Sequence, residues 1–435
     1  MTGTPYGYGP QPPGPGGYPP PARYPEGQYP GYSQPGYQAP PGYGPPGAYG
    51  QPPFGQPPFG PPMYGPPPRP PRKPKERKPL SPKLKKRLIA GAAVVVVIAL
   101  AAGGIAFWRN YTAEREAKRI TDFANGLQVL AVIPVGKRPH GVVYDPGTGL
   151  VYTVSGATGT GYDDSEKTIS VVDVNAQSVV ATIPVGGDLG AVGIDPGAGS
   201  LFVTHATGAN STEIAVIDLK TRSVVGSIAT SGRWDDFVVD AVNHQLWVVP
   251  RSGNTLSVVD TNTRQPLFTV PTSGDASFDG IGVDGERHRA YYSYSTGSGS
   301  YNTAFTVLDS TSGEEIADFP IDCRGLSAMI FDGAGNPIGL SGSNMCVVDV
   351  AGRSGNDFYL PRDLFYQAYD PEYGLMFATN PYANVVTIVQ PAQQRSLRTI
   401  DTTDPLGVVV DTAQHRIYVA NNKSSTLTII GTPGS

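Results

Sequence analysis

The stretch "AVIPVGKRPHGVVYDPGTGLVYTVSG" (131–156) returns in altered form as "ATIPVGGDLGAVGIDPGAGSLFVTHA" (181–206). Self-similarity at a fixed period is the mark of a repeat architecture. The aspartate that ends the first apolar run serves as an anchor. It recurs as Asp145, Asp195, Asp240, Asp284, Asp332, Asp370 and Asp411, in the contexts "GVVYDP", "AVGIDP", "DFVVDA", "GIGVDG", "AMIFDG", "YQAYDP" and "GVVVDT". The spacings are 50, 45, 44, 48, 38 and 41 residues, close to the length of a four-stranded propeller blade. A second strand follows each anchor, as in "LVYTVS", "LFVTH" and "IYVAN", and then a third, as in "ISVVDV", "IAVIDL" and "LTIIG". A fourth leads to the next unit, as in "VVATIPV" and "VVGSIAT".

One such unit is an antiparallel sheet with two apolar faces and no partner, and radial stacking buries both. The last unit stops after its third strand, at Ile430. Its missing outer strand must come from "VLAVIPV" (129–135), which precedes the first unit, and this joins the two ends of the ring. The expected fold is therefore all-β, a seven-bladed β-propeller over 128–435 closed by an N-terminal strand. A β-sandwich is the competing arrangement, against which seven in-register copies argue.

The first part of the chain is of another kind. Residues 1–87 form a Pro/Gly/Tyr-rich tail with runs such as "QPPFGQPPFG" (51–60), too poor in aliphatic side chains to offset ordering entropy. Disorder with local polyproline II character is expected. Pro40-Pro41-Gly42-Tyr43 and Pro61-Pro62-Met63-Tyr64 have the PPxY form of a ligand for proline-recognition modules, and a simple tether is the plainer reading. The tail turns basic at "RPPRKPKERKPLSPKLKKR" (69–87), and "LIAGAAVVVVIALAAGGIAFW" (88–108) then holds no charged residue. A spanning helix needs about 20 apolar residues, and Trp108 sits where an interfacial aromatic would. An uncleaved signal anchor is expected over 88–108, with a helical stalk or linker over 109–127 ending at Asn125-Gly126. The basic flank puts the N-terminus in the cytoplasm and the propeller outside, in a single-pass membrane arrangement. Residues 1–110 carry 12 basic and 2 acidic side chains, a balance of +10, so the whole-chain charge of −4 leaves −14 for the remainder. An acidic domain argues against nucleic-acid binding, which needs clustered positive charge.

The run "IPVG…P.GVVYDP…GLVYTVS…TISVVDV" resembles the YVTN family of β-propeller repeats, whose tetrad appears here as Tyr418-Val419-Ala420-Asn421. The resemblance covers roughly 128–431, and the tail-plus-anchor arrangement resembles envelope proteins of actinobacteria. It implies extracytoplasmic placement and binding rather than a uniform catalytic activity. Blades three to six depart widely from the pattern.

Chemistry is harder to place. Recurrent Asp-Pro and Asp-Gly steps read as turn caps, as do Asp173, Asp218, Asp260, Asp309 and Asp349 after third strands. His244, His288 and His415 each lie four residues after an anchor, in turns of different blades. His140 and His205 belong to the opposite face, at the start of an innermost strand and the end of a second strand. The equivalents of His140 are Gly190, Asp235, Asp279, Ser327, Phe365 and Leu406, so His140, Asp235 and Asp279 are expected near the channel mouth. His205, Arg251, Tyr294, Asn380 and Asn421 are expected slightly farther out. Such a rim could bind a cation or polarise a carbonyl, and a solvated funnel is the plainer reading. The acidic insertion "GTGYDDSE" (159–166) resembles no calcium loop. Neither a nucleophile elbow, a P-loop, a dinucleotide fingerprint nor a zincin motif occurs, and no cofactor is implied. Cys323 and Cys346 fall at the same end of one blade, where a disulfide is plausible in an oxidising compartment. Two functions fit: a binding or scaffold module of the cell envelope, partnered by an envelope ligand or protein and by a cytoplasmic partner of the tail, or a lactonase-like hydrolase or lyase acting at the mouth.

Overall fold

The computed structural model describes residues 81–83, 86, 108–156, 166–208, 211–230, 236–249, 255–272, 277–295, 303–323, 326–360 and 363–434. The tail over 1–80, the apolar run up to 107 and most of the 159–166 insertion lie outside them. Among the described residues no helix is long and apolar enough to cross a membrane.

The described chain is a helix over 108–126 followed by strands arranged in seven four-stranded antiparallel sheets. In six sheets the order is sequential from the first strand to the fourth, while the seventh takes its outer strand from the start of the propeller. Gln128–Pro134 pairs antiparallel with Thr426–Gly431, Gln128 opposite Gly431 and Ile133 opposite Leu427. The closing strand inferred from the truncated last repeat is thus present. Ile133 is buried while its flanking positions are half-buried or exposed, the period-2 signature of an outer strand with one covered face. The first strands of successive blades touch all the way round, with Pro405–Asp411 of the last against Pro139–Asp145 of the first. They are the innermost strands, and the molecule is a seven-bladed β-propeller.

The core lies between neighbouring blades, where second and third strands are almost wholly buried. Leu375–Asn380 and Val385–Gln390 are buried at every position, which is why these segments read as continuous rather than alternating apolar runs. Innermost strands approach so closely that a β-carbon on Gly407 would lie 2.7 Å from the carbonyl oxygen of His140 in the next blade. A glycine is required at that seam.

All seven anchor aspartates cap the turn between first and second strands. Asp145 Oδ1 accepts from the backbone N–H of Gly147 at 2.9 Å, Asp195 from Ala198 at 3.0 Å, Asp332 from Ala334 at 2.8 Å and Asp411 from Ala413 at 3.0 Å; Asp240, Asp284 and Asp370 do the same. Four residues on, six of the seven turns adopt a positive φ: 71° at Gly149, 63° at Gly199, 61° at Gly374, but 55° at His244, 51° at His288 and 55° at His415; after Asp332 it comes three residues on, 85° at Gly335. A left-handed conformation costs a non-glycine residue about 1–2 kcal/mol. Two of the histidines recover this through the neighbouring blade. His244 Nδ1 lies 2.9 Å from Asp195 Oδ2, an oxygen that also accepts from Thr261 Oγ1 at 2.6 Å, and His415 Nδ1 lies 2.7 Å from Asp370 Oδ2. The aspartate that shapes one blade's turn therefore also holds the next blade.

The helix packs on this same face. Ile120, Phe123, Ala124 and Leu127 join a core cluster with Leu375, Phe377, Ile417 and Ile430 of the last two blades. Phe123 stacks on Tyr373 with ring centroids 3.6 Å apart and meets the edge of His415 at 5.9 Å. Arg119 lies over Tyr373 and pairs with Glu372 at 3.1 Å, and Arg398 donates to the carbonyl of Asn125 at 2.9 Å. Tyr373 and His415 sit in the anchor-aspartate turns, so the helix covers the base of the propeller. The channel mouth is at the opposite end.

Candidate functional site

Innermost strands begin irregularly at the mouth. Pairing with the second strand slips between Pro139 and Gly141, Leu189 and Val192, Phe278 and Gly280, Ser327 and Ile330, and Pro405 and Val408. His140, Gly190, Asp279 and Leu406 all fall in these β-bulges. A bulge leaves its extra residue out of the ladder and re-aims its side chain, so equivalent positions need not face the same way.

His140 turns into the seam between the first two blades. It is 4% exposed, its Nε2 lies 3.1 Å from the Gly190 carbonyl oxygen, and its Nδ1 is buried with no partner among the described residues. Burial lowers its pKa below the ordinary histidine value, against the smaller opposing pull of backbone carbonyls at Gly190, Arg138 and Gly156. Asp279 behaves differently. Its carboxylate is half-buried and accepts from Ser295 Oγ at 2.9 Å, and desolvation raises its pKa more than this hydrogen bond lowers it. Their partners differ, and no hydrogen bond joins His140 to Asp279 among the described residues. Asp235 and Arg251 lie outside the described residues.

The second-strand positions are occupied by framework chemistry. Asn380 Oδ1 accepts from the backbone N–H of Ala383 at 2.8 Å and caps the turn after its strand. Asn421 Nδ2 donates to Thr428 Oγ1 at 2.6 Å and to Thr426 Oγ1 at 3.1 Å. Tyr294 donates to Asp318 on the outer strand of its own blade at 3.1 Å. His205 stands opposite Leu189 and Glu213 in the ladder, with Nε2 buried and unpartnered among the described residues. The one group of three potential metal ligands found among the described residues is Cys323, Cys346 and Asp357. The two sulfurs in that group are bonded to each other as a disulfide, with Cα atoms 6.0 Å apart and both residues buried.

The mouth also carries exposed aromatic side chains. Phe365 and Tyr382 meet edge to face at 5.4 Å and are 40% and 76% exposed, and Tyr359 and Tyr366 are 71% and 41% exposed. They come from the segment entering the sixth blade, a turn between its second and third strands and the end of the preceding outer strand. Burial, and after it the Asp236 carboxylate, raises the Tyr366 hydroxyl's pKa. Asp236 opens the innermost strand of the third blade, so a carboxylate of another blade acts on this tyrosine. An exposed pair such as Phe365 and Tyr382 has the aromatic character enriched at recognition surfaces. The signal was present in "DLFYQAYD" (363–370), where aromatics stand at a strand entrance.

No protein-family model matches the chain, and no curated protein matches it in sequence. Solved structures do. A chain of hydrazine synthase from Kuenenia stuttgartiensis is similar with a TM-score of 0.55 at 16% identity, over 69% of this chain and 97% of that one. A chain from the mitotic checkpoint complex is similar with a TM-score of 0.56 at 11% identity, over 70% of this chain and 92% of that one. At these identities the likeness is one of fold, and propellers host many activities.

Proposed function

We propose that this chain is a membrane-tethered propeller of the YVTN-repeat kind, acting as a binding or scaffold module of the cell envelope. The observation that carries the reading is the helix over 108–126. Its first described residue, Trp108, is the last of the apolar run 88–108, and its later turns pack on the base of the propeller. A tether entering at the base leaves the mouth and its exposed aromatics turned away from the bilayer. There they can meet an envelope ligand or protein. The basic block 69–87 holds the tail in the cytoplasm, where its PPxY segments are available to a partner of their own. The buried Cys323–Cys346 disulfide fits an extracytoplasmic, oxidising compartment. The hydrolase alternative gains nothing from the mouth, where His140 is committed to a blade seam and Asp279 to Ser295.

The test is labelling of single cysteines on intact cells with a membrane-impermeant maleimide. Ser424, exposed in a mouth turn, is expected to label as Ser424→Cys without lysis, and Ser33→Cys in the tail only after it. The reverse pattern, or equal labelling of both, would overturn the topology.

A further inference from the structure

The base of the propeller holds a cleft of about 700 Å³ between the helix and the last two blades. We infer that this cleft is an anion site that takes a phosphate ester, in the first instance the headgroup of an acidic phospholipid. Its helix wall presents Arg115, Lys118 and Arg119 beside Asp122, with Glu116 and Glu372 bonded to Arg119, and Tyr373 and Phe123 form its floor. The cations are not equally committed. Arg119 pairs with Glu116 at 2.8 Å and with Glu372 at 3.1 Å, which fixes the helix to the blade. Lys118 pairs with Asp122 across one helical turn, where both side chains are exposed, a contact of small energy. Arg115 has its guanidinium over the Tyr111 ring, 4.5 Å from the centroid, and no carboxylate pairs with it among the described residues. A stacked guanidinium keeps its edge donors free for bidentate contact with phosphate oxygens.

Position argues for a lipid source. Arg115 is seven residues beyond Trp108, roughly 10 Å along the helix at 1.5 Å per residue. Its side chain runs back toward the N-terminus, as its seat over Tyr111 shows. Trp108 and Tyr111 are exposed on the same stretch, as aromatics at a membrane interface are. The headgroup layer adds about 5–8 Å to each side of the hydrocarbon core, so Arg115 reaches a phosphate in that layer. The lipid form of this inference rests on the tethered reading above; the anion site itself does not.

The test uses the full chain in two arms. In the first, the chain is placed in nanodiscs of phosphatidylcholine with added phosphatidylglycerol, and retained acidic lipid is counted by native mass spectrometry. In the second, glycerol 3-phosphate is titrated calorimetrically onto the chain in phosphatidylcholine nanodiscs or neutral detergent. Saturable binding is expected in at least one arm. It should weaken by about tenfold in Arg115→Ser and again in the Arg115→Ser/Lys118→Ser pair, and strengthen in Asp122→Asn. All of these positions are exposed, so folding is preserved and is checked by thermal unfolding. Binding in the lipid arm alone identifies a membrane lipid, and binding of glycerol phosphate identifies a soluble ester as sufficient. Absence of binding in both arms, or equal binding by wild type and the double variant, would overturn the site. A chain that does not insert into nanodiscs refutes the tether, while the glycerol phosphate arm still judges the cleft.

Discussion

The base and the mouth of this propeller are built from the same repeat yet solve different problems. At the base, each anchor aspartate closes its own turn, two of them also receive a histidine from the next blade, and a helix seals the last two blades. At the mouth, bulges interrupt the ladders, and aromatic side chains stand in solvent. Hydrogen-bonded polar groups buried at the base hold the ring together. The mouth gives up regular pairing and gains side chains free to meet a partner. Stability and recognition are thus separated along the strand direction, a division that loops on a rigid scaffold commonly show.

This contrast can be broken by substitution. The largest effect is expected at Asp195, which is fully buried and accepts from Ala198, His244 and Thr261. Asp195→Ala strips all three donors of their partner and should cost about 3–5 kcal/mol, read as a fall in the urea midpoint. A loss below about 1 kcal/mol would mean that the aspartate serves its turn alone. Next comes Phe123→Ala, which removes a ring stacked between helix and blade and should cost about 3 kcal/mol. Hydrogen exchange should quicken over 111–126 and in the last two blades while the mouth of the fourth blade keeps its protection. Uniform loosening would show that the helix supports the whole ring.

A smaller, pH-dependent effect should appear at His140. Its folded pKa lies below the ordinary value of 6.5 because burial disfavours the imidazolium. Below pH 6.5 the unfolded chain takes up a proton that the folded one refuses. The stability from this residue is therefore complete above about pH 6.5 and is lost as pH falls toward the folded pKa. His140→Gln should flatten that part of the stability curve relative to wild type. An unchanged curve would place the protonated ring in solvent, at the mouth proper.

Much of the fold was legible because its determinants are local. An aspartate that caps its own turn, a positive-φ position three or four residues later and a two-face apolar pattern all lie within one repeat, and the truncated last repeat demanded an outer strand from the N-terminus. What was not legible depends on neighbours far along the chain. His244 meets Asp195 across 49 residues and His415 meets Asp370 across 45, so reading either turn alone left the histidines without a role. The helix offered a local clue in the i, i+3, i+4, i+7 spacing of Ile120, Phe123, Ala124 and Leu127, but which face it covers follows from Tyr373 and Glu372. At the mouth, register puts His140 and Asp279 at equivalent positions, each within a bulge. The bulges then sent one into a seam and the other to Ser295, which strand alternation does not reveal.

The central claim is that the base faces the bilayer and the mouth faces away. It is tested most directly by energy transfer from single labels at Gln414→Cys on the base and Tyr382→Cys at the mouth to an acceptor dye in the lipid headgroups of proteoliposomes. Strong transfer is expected from Gln414→Cys and weak transfer from Tyr382→Cys. Equal transfer from the two, or stronger transfer from Tyr382→Cys, would contradict the claim.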